Sequence, residues 1–254
     1  THCISSAASD VYKRQIPLLL HTSFVLLDHY LPVVQESAAK VIIYLLSTVN
    51  SHSKLSETKA LIRKNHKSLW IYDDLNHDKS GARSPKDMDL LVRNTLEIFG
   101  ATYPNIQQEW GRVALSWATT CAVRHIACRS FQVFRSLLSF LDQSMLKDML
   151  HRLSNTISDE THDIQGFAMQ ILMTLNAITS ELDAEKLIDF PQLFWVTVAS
   201  LNTINEHEYV ELLSVLSKFL SKIDLDSEDT VSCLVSTFPC LLYTSDAADD
   251  MQCV

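Results

Sequence analysis

Three residues near the middle of the chain have side chains that can bind a metal ion. Cys121, His125 and Cys128 are spaced at i, i+4 and i+7, so a continuous helix would align them in one stripe. Zinc requires each ligand at about 2.0–2.3 Å from one ion, and a helical stripe of this length cannot meet that requirement without distortion. The spacing therefore favours small buried cysteines beside a histidine at a helix interface.

A second candidate is the acidic segment Asp73-Asp74-Leu75-Asn76-His77-Asp78. It resembles the aspartate-rich motif with which all-helical terpenoid synthases hold magnesium and a diphosphate, but the third aspartate lies one residue too far along. No second metal motif follows it, and magnesium chemistry requires carboxylates that converge with substrate phosphates. The segment is interpreted as a solvated turn, with a magnesium-dependent terpenoid-type enzyme as the alternative.

Other catalytic patterns are missing from the sequence. There is no Gly-x-Ser-x-Gly elbow and no glycine-rich phosphate loop, and the ten histidines are scattered singly. We therefore predict that the chain is not an enzyme, with no catalytic, cofactor-binding or metal-binding residues and no cofactor.

One predicted helix has a basic edge that is unusual in an acidic chain. Arg124, His125, Arg129 and Arg135 lie along it. Arginine is enriched at interface hot spots, so these four residues are the predicted partner-binding set, for an acidic peptide or a partner helix. The alternative is an ordinary solvated helix face.

Composition limits the possible classes of protein. The formal net charge of −9 and the lack of a basic cluster argue against nucleic-acid binding, which depends on lysine and arginine. No apolar run approaches the roughly 18 residues that cross a bilayer.

The unpaired pattern of Cys121, Cys128 and Cys233 suits a reducing compartment. Only four glycines occur, and this indicates an α-helical protein because all-β and α/β folds need more turn glycines.

Apolar residues three and four apart recur along the chain and predict serial amphipathic helices. The only long polar connection is the loop at 76–84. The predicted helices are Leu18–Leu31, Val33–Val49, Ser56–Lys64, Pro85–Phe99, Ile106–Ala118, Val123–Leu138, Ser144–Ile157, Ile164–Leu182, Pro191–Leu201, His207–Ile223 and Glu228–Ser236.

Three of these helices share a pattern in which an alanine is followed by a large apolar stripe. The alanines are Ala38, Ala127 and Ala168, and their spacings suit a period of about 40–47 residues. A single helix pair cannot bury such a stripe, whereas stacked pairs form a continuous core. The sequence predicts an all-α, HEAT/armadillo-like α-solenoid of stacked antiparallel helix pairs. The alternative is coincidence within an ordinary helical bundle.

Both ends of the chain have an unusual relationship at the level of DNA. Ser5–Gln15 and Cys240–Asp249 can be written as translations of the two strands of one oligonucleotide, which looks like a transposase adapter for sequencing libraries. We therefore expect residues 1–15 and 240–254 to be adapter-derived and disordered. Residues 16–239 are then a helical repeat segment from inside a longer reading frame.

Several long runs of mixed residue types resemble the Furry-type cell-morphogenesis proteins. The similarity is densest between Ala114 and Ile178, although a proline is expected where Ala122 stands. The runs are Val25–Tyr30, Pro32–Glu36, Ala114–Arg135, Met149–Glu160, Asp163–Gln165 and Leu172–Ile178.

This resemblance implies a non-catalytic part of a very large scaffold built from HEAT/armadillo-like repeats. Such proteins act with NDR-family kinases and Mob-type coactivators in polarised growth and the control of cell shape. They are cytoplasmic and collect at the cell cortex or at sites of polarised growth. The expected partners of this segment are the kinase, the coactivator and the rest of its own repeat array. The alternative is a HEAT-repeat transport or adaptor protein of another family.

Overall fold

The structure is a computed structural model that describes residues 15–49, 52–70, 86–138, 141–157 and 164–238. Within these ranges the chain forms helices and turns, with no strand. The predicted loop at 76–84, the aspartates of the 73–78 segment and the predicted flanks, apart from Gln15, lie outside the described residues.

Twelve helices occur in the described parts of the chain, and each predicted helix corresponds to one of them. The additional helix is a single turn, α9, which follows Asp183. The helices are α1 (15–26), α2 (Pro32–Ser47), α3 (Leu55–Asn65), α4 (Lys86–Gly100), α5 (Ile106–Thr120), α6 (Arg124–Leu137), α7 (Gln143–Ile157), α8 (Ile164–Glu181), α9 (Ala184–Leu187), α10 (Gln192–Ser200), α11 (Glu206–Lys222) and α12 (Glu228–Ser236).

The predicted first helix was too long at its carboxyl end. It ends at residue 26 instead of Leu31, and the chain turns at residues 27 and 28. The helical region is also disfavoured at Leu31, because Leu31 precedes Pro32. Leu31 is extended, with ψ of 118°, and its N–H donates to Nδ1 of His29 at 3.1 Å. The turn between α1 and α2 places Asp28 just beyond the end of α1.

The helices divide into two compact units, with the division between Ile178 and Thr179. In the first unit, α5 and α6 form an antiparallel hairpin. Nε2 of Gln107, at the start of α5, donates to the carbonyl of Leu137 at the end of α6, at 2.6 Å. One turn further into each helix, Gly111 lies beside the Phe134 ring.

Helices α7 and α8 lie beside this hairpin and contact each other, since the Arg152 guanidinium of α7 is 5.0 Å from the centroid of the Phe167 ring of α8. Helices α6 and α8 run parallel: Phe131 packs on Phe167, with 5.9 Å between ring centroids, and Arg135 binds Gln170 one turn further along both helices. Helix α5 likewise packs on α7. Parallel packing of every second helix is the arrangement expected of consecutive helical repeats.

The shared alanines have the packing role that the sequence predicted. Ala38, Ala127 and Ala168 are all buried, and large apolar residues of the same helices are buried one turn later. Because an alanine has little side chain, a neighbouring helix can approach closely at these positions. The prediction of an all-α fold with the neighbour-on-neighbour packing of an α-solenoid is confirmed.

The second unit is held together by aromatic side chains and helix caps. Phe194 of α10 packs on Phe219 of α11, and Nε1 of Trp195 donates to the carbonyl of Leu234 in α12 at 2.9 Å. The Asn205 side chain caps the start of α11, since it accepts hydrogen bonds from two backbone N–H groups of the first turn.

A lysine caps the last turn of α8 within this unit. Nζ of Lys222, at the end of α11, donates to the carbonyls of Thr179, Ser180 and Leu182 at 2.7–2.8 Å. The last carbonyls of a helix have no partner inside the helix and carry partial negative charge. One ammonium group therefore satisfies three of these acceptors and joins α8 to α11.

Candidate partner-binding surface

The predicted partner-binding residues begin at the first turn of α6. This turn has no acidic residue, and Val123 before it makes no side-chain cap. Arg124 and His125 instead place basic groups where the helix dipole is already positive. His125 is at the surface, with 53% of its side chain exposed, and Arg124 is half-buried. The start of α6 is thus an electropositive position that suits an acidic group.

The anion next to this turn of α6 is supplied by the turn that follows α1. Oδ2 of Asp28, just beyond α1, lies 3.2 Å from Nε2 of His125 and accepts a 2.6 Å hydrogen bond from Nε of Arg129. One carboxylate oxygen therefore connects the end of α1 to the first two turns of α6.

Arg129 lies mostly inside this arrangement. Its side chain is 19% exposed, its Nη1 donates to Oε1 of Gln132, and its guanidinium lies 4.8 Å from the centroid of the Trp70 ring. Trp70 is itself buried and fixed, because its Nε1 donates to the carbonyl of Phe24 at 3.0 Å. Arg129 therefore holds α1, α6 and the turn after α3 together, with a cation–π contact in addition to the ion pair.

Arg135 is in the interior. It is 2% exposed, and its Nη1 donates to the carbonyl of Gln170 and to Oγ1 of Thr174, each at 3.0 Å. Its Nη2 donates to Oε1 of Gln170 at 2.7 Å. The structure therefore does not bring the four predicted residues to one surface. Arg124 and His125 reach the surface, Arg129 borders it, and Arg135 joins two helices.

The amino-acid sequence contains only a partial signal for this site. Asp28 and His21 interrupt an otherwise uncharged apolar run and lie seven residues apart, a spacing that would place them on one side of a continuous helix. Their partners, however, are about a hundred residues away in the sequence, in α6. The roles of Asp28, Trp70 and Gln170 were missed because each depends on a long-range contact.

The candidate metal ligands do not lie on one helix. Cys121 ends α5 in an extended conformation, with ψ of 128°, and α6 begins only at Arg124, so the predicted stripe from Cys121 to Cys128 is interrupted by a turn. Among the described residues, no group of three His, Cys, Asp or Glu side chains is placed to hold a metal ion. No helix in the described ranges is long and apolar enough to cross a membrane.

The ion pair below the surface should contribute measurably to stability. Replacing Asp28 by asparagine is expected to lower the free energy of unfolding by about 2 kcal/mol, because the part-buried Arg129 guanidinium loses its charged acceptor. Urea unfolding followed by circular dichroism measures this loss. The matched control is Glu36→Gln, which removes a carboxylate from the exposed pair with Lys40 and should leave the stability unchanged. Equal effects of the two substitutions would contradict the interpretation.

The stacked helix pairs define an α-helical repeat protein, and its candidate binding surface is the first turn of α6. Residues 3–166 match the family described as "Cell morphogenesis central region", and residues 191–252 match the one described as "Cell morphogenesis C-terminal". The chain therefore belongs to this cell-morphogenesis family, which supports the resemblance to Furry-type proteins. Residues 167–190 lie between the two matches and contain the division between the two compact units.

Two curated relatives support this assignment. The "Cell morphogenesis protein PAG1" of Saccharomyces cerevisiae is 62% identical over 232 residues, which cover 91% of this chain and 10% of the relative. The "Cell polarity protein mor2" of Schizosaccharomyces pombe is 32% identical over 225 residues, which cover 88% of this chain and 10% of the relative. The chain thus spans about a tenth of the length of these relatives. No solved structure is significantly similar to it.

Proposed function

We propose that the chain is a non-catalytic scaffold segment of a cell-morphogenesis protein. It acts with an NDR-family kinase and its Mob-type coactivator in polarised growth and the control of cell shape, in the cytoplasm at the cell cortex or at growth sites. The match of residues 3–166 to the central region of the family carries this proposal. The names of the two relatives, one a morphogenesis protein and one a polarity protein, support it.

The proposed mechanism is geometric. Stacked helix pairs hold successive helices in fixed positions, as the contacts between α6 and α8 do in the first unit. A scaffold of this kind holds its partners near one another and raises their effective concentration without any chemical step. The remainder of the same repeat array is the third partner, since each pair requires neighbours to cover its apolar faces.

The proposed contact for the kinase and its coactivator is the first turn of α6. An acidic group of the partner binds there beside Arg124 and His125, at the positive end of the helix dipole. Arg129 supports this turn from below, because its ion pair with Asp28 fixes the position of α6 relative to α1. Arg135 contributes to the same helix through its packing on α8.

Binding measurements with the purified kinase–coactivator complex test the proposal. The double variant Arg124→Ala/His125→Ala is expected to bind about tenfold more weakly than the wild-type chain, because it removes both basic groups from the surface. The matched control is Arg63→Ala/Lys64→Ala, which removes two basic groups from the exposed end of α3 and should bind like the wild type. Isothermal titration calorimetry gives the affinities, and circular dichroism confirms that the variants fold.

Two results would contradict the proposal. Equal weakening by the two double variants would show that general charge, and not the start of α6, determines the affinity. No binding by the wild-type chain would place the kinase–coactivator contact outside this segment.

A further inference from the structure

An apolar groove runs between α1 and α2 in the first unit. Its volume is about 340 Å³, and its large apolar lining residues include Leu19 and Leu26 on α1 and Val34 and Val41 on α2. The two residues on each helix are seven positions apart, which is about 10 Å along a helix. The small residues of the lining are Thr22, Ser23, Ser37 and Ala38.

Two hydroxyl groups in the lining of the groove already donate to the backbone of their own helices. Oγ1 of Thr22 donates to the carbonyl of Leu18 at 2.8 Å, and Oγ of Ser37 donates to the carbonyl of Val33 at 2.7 Å. Each of these hydroxyl groups has one proton, so neither has a donor left for a ligand. Small residues between large ones instead allow a helix to approach closely and to insert apolar side chains.

Helix α1 has apolar residues on the side facing the protein and on the side facing the groove. Leu20 and Phe24 are buried against the unit, whereas Leu18 and Leu19 are exposed, and residues 15–26 include no charged residue. A helix that is apolar all round is normally buried on every side. The charged residues nearest the groove on α2, Glu36 and Lys40, pair with each other across one turn. The groove therefore suits an uncharged, apolar occupant.

We propose that this groove binds an amphipathic helix of the same polypeptide, from the repeat that precedes α1. The curated relatives are about ten times longer than the matched segment, so they supply many further helices from which such an occupant can come. An apolar, uncharged interface is typical of permanent contacts, whereas transient partners use more polar surfaces. The inference rests on the proposed scaffold role and specifies where the repeat array continues.

Cysteine labelling on α2 tests the proposal in a matched pair. Ser37 and Ser47 are both exposed, and each donates its hydroxyl to the carbonyl four residues earlier, at 2.7 Å, but only Ser37 lines the groove. Ser37→Cys is expected to react with a maleimide about tenfold more slowly in the full-length polypeptide than in the 254-residue chain, because a packed helix excludes the reagent. Ser47→Cys should react equally in both, and mass spectrometry of the peptides distinguishes these thiols from the native cysteines.

A short photoactivatable cross-linker attached at position 37 of the full-length polypeptide identifies the occupant. The expected product joins Ser37→Cys to a helix N-terminal to α1 in the same molecule. Equal labelling of position 37 in the two chains, or cross-links to a second copy or to a different protein, would overturn the proposal. The kinase–coactivator complex is absent from this experiment, so its result is separate from the test of the α6 surface.

Discussion

Replacing Arg135 by alanine is expected to lower the free energy of unfolding by about 3 kcal/mol. The guanidinium is buried and donates to the carbonyl and side chain of Gln170 and to Oγ1 of Thr174. Alanine removes these hydrogen bonds, takes the guanidinium donor away from the buried Oγ1 of Thr174 and the part-buried side chain of Gln170, and opens a cavity between α6 and α8. Each of these changes costs free energy, and no solvent can enter easily to compensate.

Two further variants separate the effect of the hydrogen bonds from the general effect of removing an arginine. Arg135→Lys keeps the charge and most of the volume but cannot reproduce the forked hydrogen bonds, so its loss should be about half as large. Arg63→Ala removes an arginine from the exposed surface of α3 and should have little effect. Urea unfolding gives all three values, and a loss below about 1 kcal/mol for Arg135→Ala would show that the guanidinium does not join the two helices.

Acidification is expected to destabilise the first unit through His21. Desolvation by burial lowers the pKa of His21 from its usual 6.5 to about 3. Oγ of Ser130 donates its own proton to the carbonyl of Ile126, so it accepts from Nε2 of His21. The proton of the neutral ring is therefore on Nε2, and Nδ1 is buried without a hydrogen-bond partner. Protonation of Nδ1 would place a charge where nothing accepts its proton.

The direction of the pH effect follows from the two pKa values. Between pH 6.5 and pH 3 the unfolded chain binds a proton at His21 and the folded chain does not, so stability falls as the pH falls through this window. Above pH 6.5 the contribution is constant. Through this one group the free energy of unfolding changes by up to about 1.4 kcal/mol per pH unit. It should therefore fall by about 2 kcal/mol between pH 7.5 and pH 5.

The variant His21→Leu isolates this contribution. Leucine cannot titrate, and Ser130 keeps its hydrogen bond to the carbonyl of Ile126, so no new buried donor is left unpaired. The stability of the variant relative to the wild type should therefore rise by about 2 kcal/mol when the pH is lowered from 7.5 to 5. Urea unfolding at both pH values measures the difference. Parallel pH dependences of the two proteins would contradict a neutral, buried His21.

Local sequence patterns were sufficient to predict the helices. Apolar spacing located each of the eleven predicted helices, and the buried alanines at 38, 127 and 168 were correctly assigned to packing. The exception was the end of α1, where the apolar spacing continues through Leu27 to Leu31. The proline at position 32 disfavours the helical conformation at Leu31, which the hydrophobic pattern alone does not reveal.

The surface could be predicted less well, because a charge in the sequence does not show which way its side chain points. Arg129 and Arg135 were predicted to lie on one basic edge of α6, yet both are drawn inward by partners outside α6. Burial of an arginine becomes favourable only when acceptors are already positioned, and these acceptors come from α1 and α8. Prediction of the partner set from the sequence would have required the stacking of the helices beforehand.

The capping of α8 by Lys222 makes the end of one helix depend on the chemical state of a single nitrogen. Acylation of Nζ would remove the charge and leave one N–H where three N–H donors now serve the carbonyls of Thr179, Ser180 and Leu182. The last turn of α8 would then be open to water, although the modified atom belongs to a residue 40 positions away from Leu182 in the sequence. A change at one lysine on α11 would thus alter the carboxyl end of α8, which belongs to the same compact unit.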